Sequence, residues 1–168
     1  MMLKTLETIT RWFSRALMLA GALGLVAMTA AIGWQVFGRY VLNASPAWTE
    51  QSALVLMVWF AMFSAAAGVH QGFHIRIGVL VEMAPRRIRL VCRAVALVVI
   101  IACSLALTVW GAELVARTWS HTIPTLGLPR GVAYLPLPAS GALMVLFALE
   151  RLAELAAGHE RERMEGAV

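Results

Sequence analysis

Aspartate is absent from this 168-residue chain, and its nine acidic residues are all glutamates. Aspartyl phosphoenzymes and EF-hand calcium loops are thereby excluded, because both chemistries centre on Asp. Four histidines and two cysteines remain as residue types able to hold a metal or a cofactor. His70 and His74 lie one helical turn apart and can address one ligand. Haem in a membrane usually takes histidines from two helices at membrane depth, and a structural metal needs more ligands than two. The pair is therefore expected to meet the membrane interface or a partner, while His121 and His159 stand alone. Cys92 and Cys103 are eleven residues apart, about 16 Å along a helix and too far for a disulfide. Glu113 has Arg117 four residues on, the spacing of a local ion pair. Nothing resembles a Cys-x-x-Cys site, a phosphate loop, a Ser-His-Asp grouping or a dinucleotide fingerprint. No catalytic, cofactor-binding or metal-ligating residue is expected, and the chain is not read as an enzyme.

The elements that carry these residues follow from composition. The chain is 61% hydrophobic and 14% charged, with mean hydropathy +0.79, against roughly 45–50% and about 25% in soluble domains. A soluble fold of this size cannot hide so much apolar surface. Runs without Asp, Glu, Lys or Arg place four spans at about 16–38, 52–70, 94–112 and 131–149, each near the ~20 residues that cross ~30 Å of hydrocarbon. The expected fold is a single all-α membrane domain with four transmembrane helices, ending in a charged tail over 159–168. Small residues at Thr29-Ala30-Ala31 offer a signal-peptide reading of the first run. Its apolar stretch continues through Ile32, Trp34, Val36 and Phe37, so an uncleaved anchor is expected.

Fourteen Lys and Arg give a net charge of +5 and a pI near 10.2. These residues sit in short segments between apolar runs, which points to the bilayer surface and away from nucleic acid. Lys4, Arg11 and Arg15 precede the first span. Arg76, Arg86, Arg87, Arg89 and Arg93 lie between spans two and three, and Arg151, Arg161 and Arg163 follow the fourth. Only Arg39, Arg117 and Arg130 fall in the other two connections. This bias predicts cytoplasmic termini and a cytoplasmic middle loop. Tyr40, Trp48, Trp119 and Tyr134 near the outer boundary, with Trp12 and Phe73 near the inner one, match interfacial aromatic belts.

Two segments read as amphipathic and interfacial. In the first fifteen residues Lys4, Thr8, Arg11 and Arg15 share one helical face, and Met2, Leu6, Ile9 and Phe13 the opposite one. The stretch from His70 to Pro85 is too short in its apolar part to cross and too apolar for water, so it is expected along the inner boundary. Pro85 then opens a helix predicted to run to Trp119. Pro124, Gly127 and Pro129 predict an ordered, non-helical approach to the fourth span. Pro136 and Pro138 should kink or unwind its outer half, which a bilayer tolerates only where other groups satisfy the freed carbonyls.

An ionisable group at the bilayer centre is the usual mark of a membrane transport or redox site. The centres of these spans hold Ala, Leu, Val, Met and Trp, with Thr29, Ser64, Ser104 and Thr108 as the most polar groups. The residues therefore describe a small membrane subunit that works through its surfaces. Arg39 and Glu50 bracket the short connection between spans one and two, with Asn43, Pro46 and Trp48 between them. Two states are open to them: an ion pair that sets the hairpin angle, or two side chains separately extended into water.

The run Phe37-Gly-Arg39-Tyr40-Val-Leu-Asn43-Ala-Ser-Pro46-Ala-Trp48-Thr-Glu50, then Trp59, Gly68 and His74-Ile-Arg76-Ile-Gly78, resembles the small (Q-type) membrane subunit of tripartite ATP-independent periplasmic (TRAP) transporters. Pro124-x-Leu126-Gly127-Leu128-Pro129, with Tyr134 and Pro138 beyond it, is similar to that family's approach to span four. The likeness covers about residues 15 to 150 in order and spacing. Gln51 and Gly78 stand where the family commonly has acids.

The resemblance implies a bacterial inner-membrane importer in which a periplasmic binding protein captures an organic acid, such as a dicarboxylate. A large multi-span elevator-type subunit, driven by sodium, carries the acid, and the small subunit joins the static scaffold. On this reading Arg39, Tyr40, Trp48, Glu50, Trp59, His74, Arg76 and Tyr134 are the candidate partner-contact residues, and the outer corner lies near the docked binding protein. The alternative is a stand-alone four-span protein acting as a small exporter or a haem or redox anchor. It would need a buried charge or clustered histidines or acids at membrane depth.

Overall fold

The computed structural model describes residues 2–44, 46–71 and 85–157. The chain forms α1 (Met2–Tyr40), α2 (Ala47–Gln71), α3 (Arg86–Thr118), a two-stranded hairpin of β1 (Thr122–Ile123) and β2 (Leu128–Pro129), a short α4 (Arg130–Tyr134) and α5 (Pro136–Ala157). Four stretches, Trp12–Tyr40, Ala47–Gln71, Arg87–Thr118 and Arg130–Leu155, are long and apolar enough to cross a membrane. They contain the four predicted spans and overrun them, because a charge-free run marks only the part of a helix inside hydrocarbon. The 39 residues of α1 extend about 58 Å, nearly twice a ~30 Å hydrocarbon core. The expected N-terminal segment is helical and continues without a break into the first span; its side chains as far as Arg11 lie outside the described residues. The interfacial segment expected after span two, with His74 and Arg76, and the tail over 159–168 lie outside them as well.

Helix ends follow local chemistry. α1 stops where Asn43 takes a left-handed φ of 50°, a conformation its short polar side chain tolerates. The chain folds back so closely that the Ala44 amide donates to the Gly38 carbonyl at 3.0 Å. A Cβ on Gly38 would stand 2.8 Å from the Ala44 oxygen. Pro85 precedes α3 instead of opening it, with ψ at 146°, and the helix starts at Arg86. The correction is one residue, and the Arg89 amide still closes the first turn on the Pro85 carbonyl at 3.1 Å.

The non-helical approach to the fourth span is the hairpin, with Thr122 opposite Pro129 and Ile123 opposite Leu128. Gly127 turns it at φ 65°, and the Gly127 amide donates to the Ile123 carbonyl at 2.9 Å. The prolines divide the fourth span as expected: α4 ends at Tyr134 and α5 begins at Pro136.

Packing places α2 and α5 at the centre, with α1 against α2 and α3 against α5. Lipid is as apolar as a leucine side chain, so helices in a bilayer associate through close packing of small residues. Ala66 and Ala67 of α2 and Ala148 of α5 are buried in the core. Gly141 brings α5 against α3, where an added Cβ would lie 2.6 Å from Thr108 Oγ1. The core lies at the end of the bundle that carries the termini, where Leu17, Val69, Leu97, Met144 and Phe147 converge from four helices.

Candidate functional site

The break in the fourth span leaves specific backbone groups to be satisfied. Proline has no N–H, so Pro136 cannot donate to the carbonyl four residues back, which is that of Val132. The indole N–H of Trp59 donates to this oxygen at 3.1 Å. Trp59, a candidate partner contact in the sequence, thus ties α2 to α4 within the chain, and its ring meets Phe63 edge-on at 5.6 Å.

The hydroxyls of Thr29, Thr108 and Ser140 are also used internally. Thr29 donates to the Leu25 carbonyl at 2.9 Å, Thr108 to Ser104 at 2.8 Å and Ser140 to Pro136 at 2.5 Å. A hydroxyl without water takes the nearest acceptor, the carbonyl one turn back in its own helix. Such groups are committed before any substrate arrives.

A polar cluster closes the terminus-bearing end. His70 is 7% exposed, and its ring packs on Phe147 with centroids 5.0 Å apart. Its Nδ1 lies 3.9 Å from Glu150 Oε2, and its carbonyl accepts from Arg151 at 2.5 Å. Arg151 also approaches Glu154 at 3.7 Å. This cluster binds α2 to α5. The sequence placed His70 with His74 at the membrane interface or a partner contact; the structure instead buries it within the chain against Phe147. The available signal was that Glu150 and Arg151 end span four at the same level as His70 ends span two. Among the described residues, no three of His, Cys, Asp and Glu come together as a metal site would require.

The opposite end is open. Arg39 and Glu50 are both exposed, and among the described residues neither makes an ion pair or hydrogen bond. Of the two states left open by the sequence, the structure takes the separated one. An exposed pair gains only ~0–1 kcal/mol, which the entropy of holding two long side chains offsets. Both instead line a groove of 460 Å³ between α1 and α2. Tyr40, next to Arg39 in the chain, and Trp48, two residues before Glu50, are exposed at 77% and 46%. Tyr134 is half-buried at the end of α4. Glu113 and Arg117 form the expected local pair, at 2.6 Å, and the two cysteines are separate and exposed. The structure thus brings Arg39, Tyr40, Trp48 and Glu50 to one corner and uses Trp59 elsewhere.

Large apolar faces remain uncovered. The most apolar windows of α1 and α3 are each only 11% buried within the chain, against 33% for the fourth span. Among the described residues the middle of each of these apolar helices carries no Asp, Glu, Lys, Arg or His.

Comparison with known proteins agrees with this picture. Residues 28–158 match the family model of the DctQ component of tripartite ATP-independent periplasmic transporters. The C4-dicarboxylate TRAP transporter small permease protein DctQ of Vibrio cholerae is 27% identical, over 81% of this chain and 72% of that protein. The sialic acid TRAP transporter small permease protein SiaQ of the same organism is 24% identical, over 78% and 76%. The isethionate TRAP transporter permease protein DctMQ of Oleidesulfovibrio alaskensis is 28% identical over 77% of this chain, a match that occupies 22% of that longer protein. A family match across most of the chain, on four apolar helices in the expected order, leads to one conclusion: this chain belongs to the DctQ, or small permease subunit, family of TRAP transporters.

Proposed function

We propose that this chain is the static scaffold subunit of a sodium-driven TRAP importer for an organic acid, seated in a bacterial inner membrane with both termini cytoplasmic. A large multi-span elevator-type subunit packs against its uncovered helix faces, and a periplasmic binding protein delivers substrate close to the Arg39–Glu50 corner. The observation that carries this reading is the pairing of long, nearly unburied apolar helices with spans in which the Thr29, Thr108 and Ser140 hydroxyls donate to carbonyls of their own helices. Carrying a carboxylate and sodium across a bilayer requires groups that replace lost hydration at membrane depth, and those are assigned to the large subunit. The match to 22% of a longer permease protein supports a chain that acts as one part of a larger permease. The relatives' names include a C4-dicarboxylate, sialic acid and isethionate, which supports an organic acid as the substrate class. The cytoplasmic placement of the termini rests on the basic bias of the connections.

Co-purification from bacterial membranes, followed by uptake in proteoliposomes, tests the proposal. The chain is expected to bring down a large hydrophobic subunit and to transport nothing alone. Uptake by vesicles holding only this chain would overturn it. Single-cysteine labelling from outside should reach positions near Asn43 and Thr122 but not Arg87, and labelling at Arg87 would overturn the orientation.

A further inference from the structure

The groove at the open end has an order along its length. On α1, Met28, Ile32, Gln35 and Arg39 fall at helical spacings of four, three and four, and so present one face; Glu50, Leu54 and Met57 of α2 line the other wall. From the rim inward the lining is therefore charged, then amide, then apolar. Arg39 and Gln35 are one turn apart, about 6 Å in depth. Among the described residues none of Arg39, Gln35 and Glu50 makes a hydrogen bond or ion pair. An amide held toward hydrocarbon is costly without a polar partner, and two opposite charges left separate on one rim complement a zwitterion better than a single ion. The exposed Tyr40 and Trp48, close in the chain to Arg39 and Glu50, place the rim at headgroup level.

Dimensions bear on the occupant. From Met28 to Arg39 the groove runs about 16 Å along α1. Its 460 Å³ lies along that length as a shallow groove open on one side. A slender apolar chain laid between α1 and α2 suits such a shape.

We propose that the α1–α2 groove is a binding site for one zwitterionic glycerophospholipid with a primary-amine headgroup, of the phosphatidylethanolamine class. Arg39 holds the phosphate, for which a guanidinium is well shaped. Glu50 accepts from the ammonium, the Gln35 amide reaches the glycerol ester region one turn deeper, and Ile32, Met28, Leu54 and Met57 contact an acyl chain. The lipid would seal the groove and stiffen the α1–α2 corner. This inference requires only that the chain sit in a bilayer and is independent of the transport reading.

Native mass spectrometry of the full chain, purified with whatever partners it retains and offered equal amounts of phosphatidylethanolamine, phosphatidylcholine and phosphatidylglycerol, tests it. One phosphatidylethanolamine should survive mild delipidation in at least about fivefold excess over the other two. Arg39→Gln should lower its retention about tenfold, the scale of one lost charge-assisted contact. Glu50→Gln should remove the preference over phosphatidylcholine while phospholipid still binds. Leu54→Trp, at an exposed position, should fill the groove and expel the lipid with elution volume and helix content unchanged. Arg117→Gln, on the distant exposed pair, should change nothing. Equal retention of the three lipids, retention indifferent to these substitutions, or cross-linking of Leu54→Cys to a polypeptide in native membranes would each overturn the proposal.

Discussion

At the end of the bundle that carries the termini, His70 is buried against Phe147 and its carbonyl is held by Arg151 at 2.5 Å. At the opposite end Arg39 and Glu50 stand exposed along a groove. The first set of polar groups meets within the chain, across α2 and α5, where apolar side chains from four helices also converge. The second is left for whatever lies outside. One end therefore holds the helices together, and the other leaves two opposite charges exposed along a groove. The tie from Trp59 to the Val132 carbonyl lies between them and belongs with the first, because it answers a need that the chain created by placing Pro136 in a span.

The comparison is broken most severely by Phe147→Ala. Phe147 is fully buried at the convergence of the helices, and truncating such a ring costs about 3 kcal/mol or more through lost contacts and the cavity left behind. A large fall in the thermal midpoint of the detergent-purified protein is expected, and a midpoint within a degree or two of the unmodified chain would show that the core is not where the fold is held. Arg151→Ala should come next. It removes the donor to the His70 carbonyl and the approach to Glu154, a loss of roughly 1.5–3 kcal/mol for a hydrogen bond from a charged group. The same melting measurement reads it, and Arg151→Lys should recover part of the loss.

Trp59→Phe sharpens the division by testing the link between the two ends. It keeps an aromatic ring against Phe63 but removes the indole N–H that donates to the Val132 carbonyl. About 1 kcal/mol is expected, because interhelical hydrogen bonds in membranes are modest. The damage should appear as faster proteolysis between α3 and α5, with little change in helix content.

The smallest stability effect belongs to the open corner. Arg39→Glu should shift stability by no more than about 0.5 kcal/mol, as substitutions at exposed unpaired positions do. Assembly with partner subunits or uptake should nevertheless fall, and by more than in His74→Ala. Exchanging both charges, Arg39→Glu with Glu50→Arg, should restore part of it. If Arg39→Glu melts the protein as severely as Arg151→Ala, the two ends do not differ as described.

Much of this protein was readable from residue order, for a physical reason that is local. A bilayer demands about 20 apolar residues per crossing, so the charge-free runs located four spans that lie within the observed helices. Proline lacks an N–H, so Pro136 announced the break between α4 and α5. The four-residue spacing of Glu113 and Arg117 announced their pair. Each inference needs only neighbours along one helix. What the residues could not reveal was which helix lies beside which. Between apolar helices in lipid, hydropathy has no direction, and the choice falls to small residues that allow close approach, such as Gly141 against Thr108. Pro136 showed that the Val132 carbonyl needed a donor, but only the packing of α2 beside α4 made Trp59, 73 residues away, the one that serves it. Likewise only the tertiary structure decided that His70 is enclosed by Glu150 and Arg151 and that Arg39 and Glu50 remain apart, because distances between helices are set by the whole packed bundle and by no single stretch of chain.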